Sequence, residues 1–362
     1  MINLLRSSIL LRFLRDPVTA SQSFSLAQWA ILIQSARRAN LLSRVACLVD
    51  KLIGLDALHP KVSFHLSSAL TVAQGNQRSV FWEVRKIHQA LTEYNIPFVI
   101  LKGAAYIVGG FEAGLGRLLS DTDIMVPRDR LDETEAAFYK NGWITTKFDA
   151  YDQRYYRTWM HELPPMQHLD RGTSLDVHHT ILPPTSSLKL DVDKLWRHIQ
   201  PLKNFSGAYV LGPADMILHS ATHLFHDGEL ENSLRDLVDL DALFRSFMPI
   251  EGFWDHLYSR AIELNLSRPL FYAIHYLTKL LDTPVPNDFY QSILQIGAPR
   301  ESISSIMDFL ILRSFASIVF EQKIGLLGPS KFLMYVRSHY LRMPIHLLLP
   351  HLFRKQFFST NN

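Results

Sequence analysis

One stretch of the chain combines residue types and spacing that suit phosphate chemistry: Ser120-Asp121-Thr122-Asp123-Ile124-Met125-Val126. Thr122 to Val126 reads as a strand that Pro127 stops. Side chains at i and i+2 of a strand leave the same face, so Asp121 and Asp123 point together. Two carboxylates at the start of a strand form a hard, oxygen-rich site suited to Mg²⁺ or Mn²⁺. Two such ions about 3.5–4 Å apart can clamp the attacking and leaving oxygens of an in-line phosphoryl displacement. The competing reading is a polar loop running into a strand, because Asp-x-Asp alone arises often by chance.

The flanking segments strengthen the phosphate reading. Phe98-Val99-Ile100-Leu101 is a continuous apolar run of the kind that forms a buried strand, and Lys102-Gly103-Ala104 ends it. Gly103 permits close backbone approach to a phosphate, and a short helix over Ala104 to Val108 offers its N-terminal N–H groups to an anion. Lys102 is placed to neutralise a triphosphate. Arg117 and Ser120, leading into the carboxylate pair, complete the nucleotide-binding set, though Arg117 also fits a plain surface position. Downstream, Met166 to Leu169 and Ser174 to Ile181 flank Asp170-Arg171-Gly172-Thr173, a hairpin signal. Asp176 lies on its second strand, on the face opposite Leu175 and Val177, as a third carboxylate that can share the metal and act on an acceptor hydroxyl. A solubilising acid at a strand edge is the plainer reading. His178 shares the Asp176 face and can orient it, and His179 reads as structural.

Together, Leu101-Lys102-Gly103, Ser120-Asp121-Thr122-Asp123-Ile124 and Leu175-Asp176-Val177-His178 resemble the DNA polymerase β-like nucleotidyltransferase superfamily. The phrasing is similar to a bacterial branch known only as uncharacterised nucleotidyltransferases. The likeness covers residues 98–181 and extends toward His219 to Phe244 and Arg342-Met343-Pro344. It implies an α/β (α+β) fold with a small mixed sheet, and Mg²⁺ or Mn²⁺ held by Asp121, Asp123 and Asp176. It also implies transfer of a nucleoside monophosphate from a nucleoside triphosphate to a hydroxyl or phosphate acceptor, with release of pyrophosphate. Two departures bear on phosphate binding. Lys102-Gly103-Ala104 replaces the usual Gly-Ser turn, removing a hydroxyl, and the interval from Gly103 to Asp121 is longer than in compact members. The alternatives are a non-catalytic nucleotide-binding regulator, which would have no need of Asp176, and a toxin-type enzyme acting on tRNA or protein.

The elements that must position these residues follow from periodicity. Leu26, Ala30, Ile33, Arg37, Leu41, Val45, Leu48 and Leu52 recur at helical steps, with Gly54 and His59-Pro60 closing the segment. A second helix is expected from Val72 to Tyr94, and a third from Leu131 to Lys140 with Asn141-Gly142 as its cap. From Pro213 the pattern is helical almost to the end, with breaks near Gly228, Pro249, Pro284 to Pro286, Gly297 to Pro299 and Gly325 to Pro329. The expected division is a helical region over 1–75, a catalytic core over 76–210 and a helical region over 211–362.

His219, His223 and His226 fall at i, i+4 and i+7 of one helix face. Two such histidines can bind zinc, but without a His-Glu-x-x-His pattern core or cleft hydrogen bonding fits them better. Arg235 and Asp239 read as an i, i+4 ion pair on a solvated helix face that also carries Asp236 and Asp241. At the C-terminus, Arg337, Arg342, Arg354 and Lys355 flank an apolar centre that includes Leu347 to Leu349. That centre is expected to pack on the helical half; the alternative is peripheral contact with anionic lipid.

Among the 362 residues, hydrophobic types make up 48% and the formal net charge is +3, which suits a globular protein and disfavours a nucleic-acid-coating surface. The resemblance implies as partners a nucleoside triphosphate and an acceptor that is a small molecule, a glycan or a macromolecule. Cys47 is the only cysteine, which rules out an intrachain disulfide and favours a cytoplasmic setting. Arg6, Arg12 and Arg15 interrupt the apolar N-terminus, which reads as an amphipathic helix rather than a signal sequence. No run reaches the ~18–20 uninterrupted apolar residues expected of a membrane span.

Overall fold

The apolar run before Lys102 forms β1 (Phe98–Ile100), and the carboxylate segment forms β2 (Asp121–Met125). Further strands are β3 (Trp143–Thr145), β4 (Met166–His168), β5 (Ser174–His178), β6 (Ile199–Pro201) and β7 (Ala208–Leu211). They make one mixed sheet in the order β3-β4-β5-β2-β1-β7-β6. β4 and β5 form the expected antiparallel hairpin, while β2 runs antiparallel to β1 and parallel to β5. β1 also pairs in parallel with β7. The computed structural model describes residues 1–227, 232–320 and 325–358, so the break at Gly228 and the side chain of Lys355 lie outside the described residues.

Helices surround this sheet, as an α/β reading requires. The helical pattern over residues 26–54 divides into Leu26–Arg38 and Leu42–Leu52, because Asn40 turns the chain in the left-handed region (φ 56). Ser25 and Gln28 form a reciprocal capping box at the first of these helices. His59-Pro60 opens a helix rather than merely closing one: Pro60 is the first residue of the 33-residue helix Pro60–Thr92, which contains most of the expected Val72 to Tyr94. Proline is well placed there, since its missing N–H is one that a helix start leaves unpaired anyway. Leu131–Lys140 is helical as expected, and the helix Ala150–Trp159, capped by Asp149, is an addition that periodicity did not suggest.

The N-terminus forms two short helices, Ile2–Arg6 and Ile9–Arg15, because Ser8 caps the second by accepting the Leu11 N–H. Their residues Leu5, Leu10, Leu11 and Phe13 join the same apolar core as Val84, Ile100, Leu240 and Phe315. Burying each such side chain contributes about 1.5–3 kcal/mol, so the N-terminal helices are held in the core shared by the helices after the sheet. One helix among the described residues, Glu301–Val319, reaches the length and mean hydropathy (1.5) of a membrane span, although no unbroken apolar run is that long and 44% of its apolar window is buried inside the protein. Asp308 and Arg313 interrupt its apolar run, which is why a search for unbroken runs misses it, and Met307, Leu310, Ile311 and Phe315 face the core. In the last helix, Ile345–Phe358, the expected apolar centre is split: Leu348 is buried and Leu349 stands exposed.

Candidate active site

The parallel pairing of β2 with β5 aligns Asp121 with Ser174, Asp123 with Asp176 and Met125 with His178. Residues paired across neighbouring strands share a face, so Asp121, Asp123, Asp176 and His178, at alternating positions, lie on one side of the sheet. All four line a cleft of about 380 Å³ that also contains Lys102, Gly103, Arg117 and Ser120. Every residue singled out for catalysis or nucleotide binding thus reaches one cavity.

Their electrostatics differ sharply. Asp121 is exposed, and its Oδ1 accepts a hydrogen bond from Ser120 Oγ at 3.2 Å. Asp123 is buried, and its Oδ1 accepts from Lys102 Nζ at 2.8 Å and pairs with His178 Nε2 at 3.0 Å. Burial alone would push the Asp123 carboxyl up, but Lys102 and His178 outweigh it and hold the group far below the usual carboxylate range. At Asp176 the nearby His178 does not outweigh the opposing causes. Burial, followed by the nearby Asp123 and Glu162 carboxylates, pushes its pKa up to about 7. The carboxylates therefore divide into one strongly ionised group and one with proton affinity near neutrality.

Lys102 reaches Asp123 from the turn after β1, where its own backbone is left-handed (φ 48). Such a conformation costs a non-glycine residue about 1 kcal/mol or more and persists only where its surroundings enforce it. Gly103 has a packing reason besides any phosphate: a Cβ there would lie 2.3 Å from Leu119 Cδ2. Leu119 is itself pinned by Asn76, whose side chain bonds both its N–H (3.1 Å) and its carbonyl (3.0 Å). The space left by the missing side chain is thus filled by the loop that carries Arg117.

Arg117 lines the cleft but is engaged by acids behind it. Its Nε lies 2.8 Å from Asp239 Oδ2, and its Nη2 lies 3.4 Å from Asp236 Oδ1. Arg44 reaches the same Asp239 at 3.0 Å. This corrects the picture of a solvated pair between Arg235 and Asp239. Asp236 and Asp239 are buried, Arg235 bonds the adjacent Asp236 at 3.0 Å, and Asp241 pairs with Arg245 at 2.9 Å. Helical spacing alone could not show that two guanidiniums from distant segments fill the Asp239 face.

The three spaced histidines do not act as one face. The helix Pro213–Thr222 gives way to a wider turn over His223–Asp227, so His219 and His223 line the cleft while His226 turns to Ser186 Oγ at 2.9 Å. Burial, with Lys102 next, pushes His219 down to about 3 and His223 well below its ordinary value, so both are neutral. His179 is buried with Nε2 3.3 Å from the Met160 carbonyl.

His161 and Glu162 line the cleft too, and sequence reasoning missed them. They sit in a stretch without periodicity. Only pairing to β5 brings them in, through the isolated bridge of Glu162 to His178 and the bond from His179 N–H to the His161 carbonyl at 2.9 Å.

No curated protein and no solved structure matches the chain. The model of the uncharacterised nucleotidyltransferase family matches residues 25–282, a span that holds both carboxylate strands, the Lys102 turn and the helix with Asp236 and Asp239. On that match, this chain belongs to the uncharacterised nucleotidyltransferase family.

Proposed function

We propose that the cleft binds a nucleoside triphosphate with Mg²⁺ or Mn²⁺ and transfers its nucleoside monophosphate to a hydroxyl or phosphate acceptor, releasing pyrophosphate. The observation that carries this reading is the alignment of Asp123 with Asp176 across β2 and β5, with Asp121 on the same face. The donor set fits a hard divalent cation: three carboxylates face one cavity, and only Asp123 is balanced by Lys102 and His178. Asp121, Asp123 and Asp176 would hold the metal. Bound there, it would neutralise phosphate charge and polarise the α-phosphate.

The protein groups have separate tasks. Lys102 sits at the cleft wall as a point charge able to turn from Asp123 toward phosphate oxygens. Asp176, beside Asp123 on the same face, takes the proton of the acceptor hydroxyl as that oxygen attacks the α-phosphorus and the bond to pyrophosphate breaks. Positioning and charge stabilisation supply the rate, and no covalent enzyme intermediate is needed. In this reading the catalytic unit is the sheet portion, 76–210, and the helical portions on either side hold Arg117 and the cleft histidines in place.

The test is a labelling screen. The full chain is incubated with each α-labelled triphosphate, Mg²⁺ or Mn²⁺, and a cell extract, alongside Asp121→Asn as control. Label transferred to an acceptor by the wild type and not by the variant is the expected result. Equal labelling by both would sink the assignment.

A further inference from the structure

We propose a second metal site in the same cleft, made by His161, Glu162 and His178, that takes a nitrogen-preferring divalent cation of the Zn²⁺ class rather than Mg²⁺. The ligand atoms of these three residues all lie within 4.8 Å of one another. Asp121 and Asp176 are not needed for it, so it is separate from the carboxylate site.

The backbone builds the cluster. Glu162 and His178 face each other across an antiparallel bridge, the Leu163 N–H bonds the Val177 carbonyl at 2.8 Å, and the His179 N–H bonds the His161 carbonyl at 2.9 Å. The His161 and His178 rings stand 5.0 Å apart at 33°. Adjacent positions of one segment and one position of β5 are thus held at fixed register before any cation arrives.

Hydrogen bonding points the same way. His178 is 2% exposed, and its Nδ1 has no hydrogen-bond partner among the described residues; the Nδ1 of His161 is likewise unbonded. A buried ring nitrogen without a partner is left unsatisfied, and a metal bond would satisfy it. The other nitrogen of His178, Nε2, lies 3.0 Å from Asp123 Oδ1. With Nε2 engaged by that carboxylate, Nδ1 is the ring atom left to meet a cation, 3.6 Å from Glu162 Oε2. A carboxylate behind a histidine with a metal in front is the arrangement that orients ligating imidazoles and raises their basicity.

The donor set selects the ion. Two imidazoles and one carboxylate suit Zn²⁺ and its first-row neighbours, whereas Mg²⁺ prefers all-oxygen surroundings. Three protein ligands leave a fourth position open toward the cleft. Bonds of about 2.0–2.2 Å would draw the ligand atoms to roughly 3.4 Å apart, and the half-buried side chains of His161 and Glu162 have room to close that gap. A cation there would lie beside Asp123 and Asp176, on the same cavity wall.

The experiment is a Co²⁺ and Zn²⁺ titration of the full chain after chelator treatment. We expect one equivalent of Co²⁺ to produce visible d–d absorption that Zn²⁺ abolishes and excess Mg²⁺ leaves unchanged. His161→Gln and Glu162→Gln should each weaken Zn²⁺ binding at least tenfold, while Asp121→Asn keeps it, with circular dichroism checking the fold of each variant. The ¹⁵N imidazole spectrum of the zinc-loaded wild type should show metal on His178 Nδ1 and a proton on Nε2. The proposal is overturned by absence of Co²⁺ absorption, by binding that both Gln variants retain, or by a His178 ring protonated on both nitrogens in the presence of zinc. Magnesium-dependent labelling is read separately, so loss of this site would leave the nucleotide reading standing.

Discussion

At the scale of single residues, the cleft separates groups that perform chemistry from groups that carry load. Asp121 is exposed and, among the described residues, its side chain bonds Ser120 alone, so removing its charge should leave the fold alone. Asp121→Asn is expected to lower metal-dependent turnover about 100-fold or more, about 2.7 kcal/mol of transition-state stabilisation, with the melting temperature unchanged. Wild-type turnover in this variant would refute the metal assignment. Asp123→Asn is a poorer probe, because it also strips Lys102 and His178 of their shared carboxylate. Asp176→Asn should depress kcat far more than triphosphate binding, since its proposed work is on the acceptor proton. An equal loss in binding with kcat at saturation untouched would remove that role.

At the scale of elements, the site depends on turns and helix ends that sequence patterns describe only loosely. Gly103→Ala puts its Cβ against the tip of the Leu119 side chain, which can turn aside, and should cost no more than about 1 kcal/mol in urea unfolding. A loss above about 3 kcal/mol would show that the loop carrying Leu119 and Arg117 cannot yield there. The turn at His223–Asp227 makes a different prediction. Burial, helped by Arg337 and Arg342, lowers His226 to about 4, so the folded protein keeps it neutral where the unfolded chain already takes up a proton. Its contribution is whole above pH ~6.5 and falls, by about 1.4 kcal/mol per pH unit, as pH drops toward 4. His226→Gln should flatten the pH dependence of unfolding in that window. A slope as steep as wild type would place the acid sensitivity elsewhere, for instance at His219.

At the scale of the whole molecule, one buried ion network ties distant segments together behind the cleft. Arg44 comes from the helix Leu42–Leu52, Arg117 from the loop before β2, and Asp236 and Asp239 from the helix Ser233–Phe247. Gly116 makes this approach possible, since a Cβ there would lie 2.5 Å from the Arg44 Cα. Asp239→Asn leaves buried Arg44 without a carboxylate and Arg117 with Asp236 alone, and should cost about 3–5 kcal/mol. Equilibrium unfolding measures it directly, and a change below about 1 kcal/mol would show that the network is not structural.

The local order of residues determined much of this protein before any folding was considered. The apolar run at Phe98, the alternation through Asp121 and Asp123, and the hairpin around Gly172 are short-range signals, because strand period and turn chemistry act over a few neighbours. They are enough to expect strands there, while the mixed sheet and the gathering of three carboxylates came from the family resemblance those motifs carry. β3 and β6, three residues each, have neither the continuous apolar run that marks β1 nor the turn signal that marks β4, and exist because neighbouring strands offer them hydrogen bonds. Only the tertiary structure decided which polar residues meet. It buried Asp239 between Arg44 and Arg117, turned His226 away from His219, and brought His161 and Glu162 to His178. Those encounters join segments far apart in sequence, and long-range packing and register, to which local pattern is blind, set each of them.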